Sequence, residues 1–272
     1  QSLQAYAIFG WFAQLWRDAG LSPAEAGKLY GKLRWSQCCV YDRVALAPLQ
    51  ALKDRQYRRG PEHLTNALTP PIVRCLDRME VILQRASPKV VPTRADPAAG
   101  QHWCVYTDGM QECDIREALA GRSKLGIGGV LVAPGGQVVE AFEAHVPAGE
   151  IARWKVPGRR RRSKEIFNIE LYALAVALRR WGPKLQGQRI MCFQDNQAAW
   201  SALCRASARS PDSNVIVEDC WRSLDNFAVV PWFEWIDSAA NIADGPSRGE
   251  WVKDLGRFRG WNRIRIATPV LG

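Results

Sequence analysis

The sequence predicts an α/β protein: a mixed five-stranded sheet with flanking helices, preceded by a small helical segment. Three observations carry this. The first ninety or so residues read as helices, with apolar residues every three to four positions. A stretch rich in Pro, Ala and Gly, SPKVVPTRADPAAG (87–100), then marks the main boundary. Beyond it, short apolar runs alternate with amphipathic helical runs in the order β-β-β-α-β-α-α-β-α. The chain divides accordingly into a helical segment (1–90), a linker (91–100), an α/β domain (101–252) and a C-terminal tail (253–272).

In the helical segment, LSPAEAGKLYGKLRWSQ carries its own start signal. Ser22 caps, Pro23 fits the first helical position, and Glu25 follows three residues after the cap. Leu29, Tyr30 and Leu33 then share a stripe. VALAPLQALKDRQYRRG forms a second helix, with Pro48 at a start or kink and Gly60 as a stop. In TPPIVRCLDRMEVILQRAS, Ile72, Leu76, Met79 and Leu83 mark the buried face of a third.

In the α/β domain, HWCVYTD (102–108) is a strand ending at an Asp. GIGGVLVA (126–133), PGG and QVVEAFEAHV (137–146) read as a hairpin. SKEIFNIELYALAVALRRWG (163–182) is an amphipathic helix stopped by Gly182, and QRIMCFQD (188–195) is a strand that again ends at an Asp. Two helices follow, NQAAWSALCRAS and PDSNVIVEDCWRSLDNF, then the strand VVPWFEWIDS (229–238).

Composition narrows the function. A net charge of +10 over 272 residues favours an anionic partner, nucleic acid before an acidic membrane surface. The eight cysteines include no C-x-x-C pair and there are three His, which argues against a structural zinc site. The apolar run AYAIFGWFAQLW is too short to span a bilayer. With no secretory signal visible, reduced thiols in an intracellular compartment, cytoplasm or nucleus, are the expectation. The chain begins with Gln, so it is read as part of a longer polypeptide or a processed product.

Four acidic residues sit where such a sheet gathers ligands. Asp108 and Asp195 lie at carboxyl ends of strands, Glu170 borders the sheet-packed face of the first long helix, and Asp244 follows the fifth strand. Clustered carboxylates raise one another's pKa, and a hard divalent cation removes that cost. Two Mg²⁺ ions, or Mn²⁺ in their place, can activate water and stabilise the leaving oxygen of a phosphodiester. Each residue also has an ordinary reading: a strand-end Asp caps a turn or helix, a helical Glu is solvated, and Asp244-Gly245-Pro246 is turn chemistry in its own right.

RWKVPGRRRRSK (153–164) holds seven basic residues and no acidic one, and it enters the helix carrying Glu170. Arg159, Arg160, Arg161 and Arg162 are either a solvated basic loop or a nuclear-localisation patch, or they grip phosphates beside the site with Trp154 as a stacking surface. Asn168, Asn196 and Gln197 adjoin the acids and are candidates to bond backbone or sugar oxygens; helix capping is the alternative for Asn196. Arg248, one turn past Asp244, faces phosphate or balances nearby carboxylates.

Together VYTDG, IELYALAVAL, FQDNQAA and NIADGPSR resemble the ribonuclease H domains of retroelement reverse transcriptases, those of long-terminal-repeat and tyrosine-recombinase (DIRS-like) elements above all. The resemblance spans roughly 102–250 and implies a ribonuclease H-like fold with the catalytic order Asp, Glu, Asp, Asp: Asp108, Glu170, Asp195 and Asp244. It implies a Mg²⁺-dependent endonuclease acting on the RNA strand of an RNA–DNA hybrid, with a polymerase domain as a possible neighbour in the same polyprotein. GKLRWSQ to ALKDRQY is more loosely similar to the thumb or connection segment of such polyproteins, while the polymerase motif Tyr-x-Asp-Asp is absent. The span before the last Asp, WIDSAANIAD, lacks the His that many members carry, with Ser238 near its place, which implies slower turnover. Integrases place their Glu last, and proofreading exonucleases place a Glu two residues after the first Asp, where this chain has Met110. The alternative to an enzyme is a captured retroelement fragment that binds nucleic acid as a scaffold.

Overall fold

The computed structural model describes residues 16, 19–40, 43–59, 65–85, 102–112, 118, 125–154, 165–251, 255–256 and 258–271. The chain forms two compact units, Gln1–Thr93 and Arg94–Gly272. The expected linker (91–100) lies outside the described residues.

Among the described residues the first unit includes three helices, α1 (Pro23–Val40), α2 (Leu46–Gln56) and α3 (Pro70–Arg85). The start of α1 is the reciprocal cap that the sequence indicates. The Glu25 amide donates to Ser22 Oγ at 3.3 Å, and the Ser22 amide donates to Glu25 Oε2 at 2.9 Å. Leu29, Leu33, Leu49, Leu52, Ile72, Leu76 and Met79 make one apolar core between the three helices. Arg55 is buried beside it because its guanidinium donates to the carbonyls of Thr65 and Ala67, the segment that leads into α3.

The second unit holds a six-stranded sheet in the order β5-β4-β1-β2-β3-β6. Its strands are β1 (Trp103–Gln111), β2 (Leu125–Val132), β3 (Val138–His145), β4 (Arg189–Gln194), β5 (Val230–Trp235) and β6 (Asn262–Arg265). β1, β2 and β3 form an antiparallel meander, whereas β4 joins β1 in parallel and β5 joins β4 in parallel. Among the described residues its α-helices include α4 (Ala148–Arg153), α5 (Glu165–Trp181), α6 (Gln197–Arg205), α7 (Pro211–Asn226) and the short α8 (Asp244–Arg248). The second unit is thus a mixed α/β domain, a sheet with flanking helices as the sequence predicts.

α5 is apolar nearly all round, and Ile169, Leu171, Ala173, Leu174, Ala175 and Ala177 are fully buried. It lies between the sheet and α7, so both of its sides are covered. On the opposite face, Val130, Val132, Val138 and Ala141 pack with Ala243, Trp251 and Leu255. Among the described residues no helix is long and apolar enough to cross a membrane.

Two strand assignments differ from the sequence reading. β1 does not end at Asp108 but continues to Gln111, because β2 pairs with it as far as Gln111↔Leu125 while β4 leaves after Tyr106↔Phe193. The sheet has six strands instead of five. Residues 262–265, read as tail, pair in parallel with β3 through Glu140↔Asn262 to Glu143↔Arg265. Arg263 and Arg265 both reach the Glu143 carboxylate there, an arrangement that local periodicity does not reveal.

The outer edges differ in character. β6 has four residues, and β5 carries Pro231, which has no amide proton, while the Trp200 indole donates to the Phe233 carbonyl at 3.1 Å.

Phe142 is fully buried, lies where a Cβ on Gly129 would fall, and makes a tilted contact with the Trp181 ring at 5.4 Å. Phe142→Ala is expected to cost about 3–5 kcal/mol, read from the midpoint of urea unfolding.

Candidate metal centre

Asp108, Glu170 and Asp195 each bring a carboxylate oxygen within 4.8 Å of the others'. The three come from separate elements. Asp108 stands in β1 two residues past its last pair with β4, Asp195 follows the last residue of β4, and Glu170 lies in the second turn of α5.

Missing side chains bring these elements close. A Cβ on Gly109 would lie 2.8 Å from Ile169 Cγ2 and 2.9 Å from the Glu170 amide nitrogen. Only glycine next to Asp108 lets α5 approach β1 so that Glu170 meets it. Across the sheet, a Cβ on Gly126 would fall on the Ser247 carbonyl oxygen, and one on Gly128 on the Ser247 amide nitrogen. The GIGG run is therefore a groove in β2 that admits the backbone of α8.

Hydrogen bonds fix the surroundings. Ser247 Oγ donates to Asp108 Oδ2. Asn241 Nδ2 donates to the Thr107 carbonyl at 3.0 Å, and Gln194 Nε2 donates to Thr107 Oγ1. The Trp235 indole donates to the Asp195 carbonyl at 2.9 Å, tying β5 to the end of β4.

Two carboxylate oxygens of the group, Glu170 Oε2 and Asp195 Oδ1, are buried and have no hydrogen-bond donor among the described residues. Burial, first of all, pushes the Asp108 carboxyl from its ordinary 3.8 up to about 7; the Ser247 hydroxyl opposes this and the charges of Asp195 and Asp244 add to it. Burial likewise raises Glu170 well above the usual carboxylate range, with the charges of Asp108 and Asp195 adding to the effect. An all-oxygen anionic donor set with two buried oxygens lacking donors fits a hard divalent cation.

Asp244 does not join the group of three. It opens α8, and its Oδ1 accepts from Arg248 Nε at 2.8 Å. Arg248 thus balances a carboxylate, one of the two roles open to it from sequence. The expected His position in the preceding span is a 3₁₀ turn, Ser238–Ala240, capped by the Asp237 carboxylate on the Ala239 amide at 2.9 Å.

The other sequence candidates divide. Asn196 caps α6, accepting from the Ala198 and Ala199 amides at 3.0 and 3.1 Å, and Gln197 beside it is exposed. Asn168 is buried. Its side-chain oxygen accepts from Ser213 Oγ at 2.6 Å and its amide nitrogen reaches Asp212 at 3.4 Å, so it clasps α5 to the start of α7. Trp154 is buried instead of offering a stacking surface. Its indole donates to the buried Glu150 carboxylate at 3.0 Å, and its edge meets Tyr172. Arg159, Arg160, Arg161 and Arg162 lie outside the described residues.

The first unit carries a separate surface. Lys28, Lys32 and Trp35 are exposed at helical spacing along α1, and Trp35 is 71% exposed. Gly31 lies among them with nothing within 4 Å of the place where its Cβ would be.

No family model and no curated protein matches the chain. Among solved structures it is similar to RNase H1 from the halophilic archaeon Halobacterium salinarum NRC-1, at 19% identity, over 56% of this chain and 98% of that one, with a TM-score of 0.41. It is also similar to LC11-RNase H1 in complex with RNA/DNA hybrid, at 16% identity, over 56% of this chain and 99% of that one, with a TM-score of 0.39. A third similar structure is the foamy viral protease-reverse transcriptase in complex with RNA/DNA hybrid. There the identity is 11%, the coverage 73% of this chain and 28% of that one, and the TM-score 0.39.

The raised carboxyl of Asp108 sets the sign of a stability effect. Between its ordinary 3.8 and about 7 the folded chain holds a proton that the unfolded chain releases. Metal-free stability from this group therefore falls as pH rises through that window. In EDTA, the melting temperature of Asp108→Asn is expected to exceed that of the wild type at pH 8, with the gap narrowing towards pH 4; thermal melts of both across this range check it.

Proposed function

We propose that the chain is a divalent-metal-dependent endonuclease that hydrolyses the RNA strand of RNA–DNA hybrids, as part of or derived from a retroelement reverse transcriptase. The observation that carries this reading is the convergence of Asp108, Glu170 and Asp195, from β1, α5 and the end of β4, within 4.8 Å. Two buried oxygens without donors supply the reason for a cation there. The motif order and the net charge of +10 point the same way.

Asp108, Glu170 and Asp195 would hold Mg²⁺, in a pair of ions, or Mn²⁺, and Asp244, paired here with Arg248, would be the fourth ligand. When bound, such a cation activates water and neutralises charge building on the phosphoryl oxygens. The protein's own part is to hold the carboxylates rigidly through Ser247, Asn241 and the three glycine approaches. Gln197 and the amide nitrogen of Asn196 stand beside Asp195 to meet backbone or sugar oxygens. Arg159, Arg160, Arg161 and Arg162 supply phosphate contacts that position the duplex without reading its sequence. The basic stripe of Lys28 and Lys32 with Trp35 is a further nucleic-acid contact. A polymerase domain in the same polypeptide would present the hybrid, and the setting is intracellular.

Cleavage of an RNA–DNA hybrid in Mg²⁺ is expected, with double-stranded DNA untouched. Asp108→Asn, Glu170→Gln and Asp195→Asn should each lower the rate by at least on the order of 10²-fold. Cleavage that survives Asp108→Asn would sink the assignment, and a folded protein that binds hybrid but never cuts it is the scaffold alternative. Replacing Lys28 and Lys32 together by Ala is expected to reduce the salt slope of hybrid binding by about two, measured by fluorescence anisotropy across ionic strengths.

A further inference from the structure

NIADGPSR is longer than one carboxylate requires, and the structure gives two of its other residues, Asn241 and Ser247, work that converges on β1. Asn241 is buried, and its side chain bridges two backbones: the amide nitrogen donates to the Thr107 carbonyl at 3.0 Å, and the oxygen accepts from the Ala243 amide at 3.2 Å. The chain then turns into α8, whose backbone at Ser247 lies in the groove left by Gly126 and Gly128. Ser247 is itself 4% exposed. Its hydroxyl is thus delivered from a fixed backbone to one side of Asp108, one residue beyond the carbonyl that Asn241 holds.

Ser247 Oγ lies within bonding distance of two acceptors, Asp108 Oδ2 and the Asp244 carbonyl at 2.8 Å, and it has one proton. The carboxylate is the stronger acceptor because it is charged. A neutral donor also differs from the cation that holds Asp244. Arg248 cancels the charge of its partner, whereas Ser247 fixes Asp108 without bringing a positive charge to compete with a cation.

We propose that Ser247 is the positioning residue of Asp108: its hydroxyl locks the carboxylate that faces Glu170 and Asp195, so that ion affinity depends on a residue that does not touch the ion. This rests on the reading of the three acids as a metal centre. A donor behind a ligand typically sets 10–100-fold in metal affinity or activity.

The test uses the full chain and two pairs of variants that differ by the hydroxyl alone: wild type against Ser247→Ala, and Ser247→Thr against Ser247→Val. Calorimetric titration with Mn²⁺, without nucleic acid, gives the affinity, and melting in EDTA confirms folding. Within each pair the member without the hydroxyl is expected to bind about tenfold more weakly or worse. The Mg²⁺ concentration for half-maximal hybrid cleavage should rise in step, while the rate at saturating Mg²⁺ changes less. If one pair fails to fold, the other decides. Equal affinities within a folded pair overturn the positioning role alone. A wild type that binds no Mn²⁺, or binds it as well as Asp108→Asn does, overturns the metal reading and the positioning role together.

Discussion

Three carboxylates within 4.8 Å of one another, two of them in buried residues, are held together against their mutual repulsion, and the surrounding architecture is arranged to do it. Repulsion and desolvation both act against ionisation at Asp108 and Glu170. Packing alone would relax such a group by turning side chains outward. Here hydrogen bonds oppose that relaxation. Ser247 holds Asp108, the Gly109 amide bonds Glu170, and the Trp235 indole holds the backbone of Asp195. The acids are kept near one another at a cost the fold bears elsewhere, in its two apolar faces and the α5–α7 clasp.

Positioning depends as much on atoms that are missing as on those present. Gly109 brings α5 onto β1, and Gly126 with Gly128 brings α8 onto β2. The two approaches come from opposite faces of the sheet, and Asp108 stands where they meet. Backbone packing therefore brings the carboxylates together, and the Ser247 hydroxyl then fixes Asp108 among them. Fixed backbone of this kind is the support a reactive centre requires.

Much of this was legible in the sequence because its signals are local. The capping box at Ser22 and Glu25, the apolar stripe of α3 and the Asp after the QRIMCFQ run depend on neighbours a few residues away, and the structure places these elements as read. What escaped the sequence is non-local. Ser247 reaches Asp108 across 139 positions, and Asn168 meets Ser213 across 45. An Asn beside an acidic ligand looks like a substrate contact until the partner helix is known, and Trp154 looks like a stacking surface until its indole N–H is found donating to Glu150. β6 was missed because four residues with alternating Arg carry no apolar period, and its pairing with β3 rests on Glu143. GIGG read as an ordinary strand, although its glycines are where α8 enters.

The two borders of the sheet have a consequence for how the protein behaves in concentrated solution. An open strand edge is a template on which another chain can add. β5 interrupts that template at Pro231 and uses the Phe233 carbonyl on the Trp200 indole. β6 offers four residues, two of them Arg. Stacking of copies edge to edge, the route by which sheets grow into fibrils, is discouraged at both ends by sequence. Trp232, 64% exposed on β5, therefore adds an apolar surface to an edge whose pairing Pro231 interrupts.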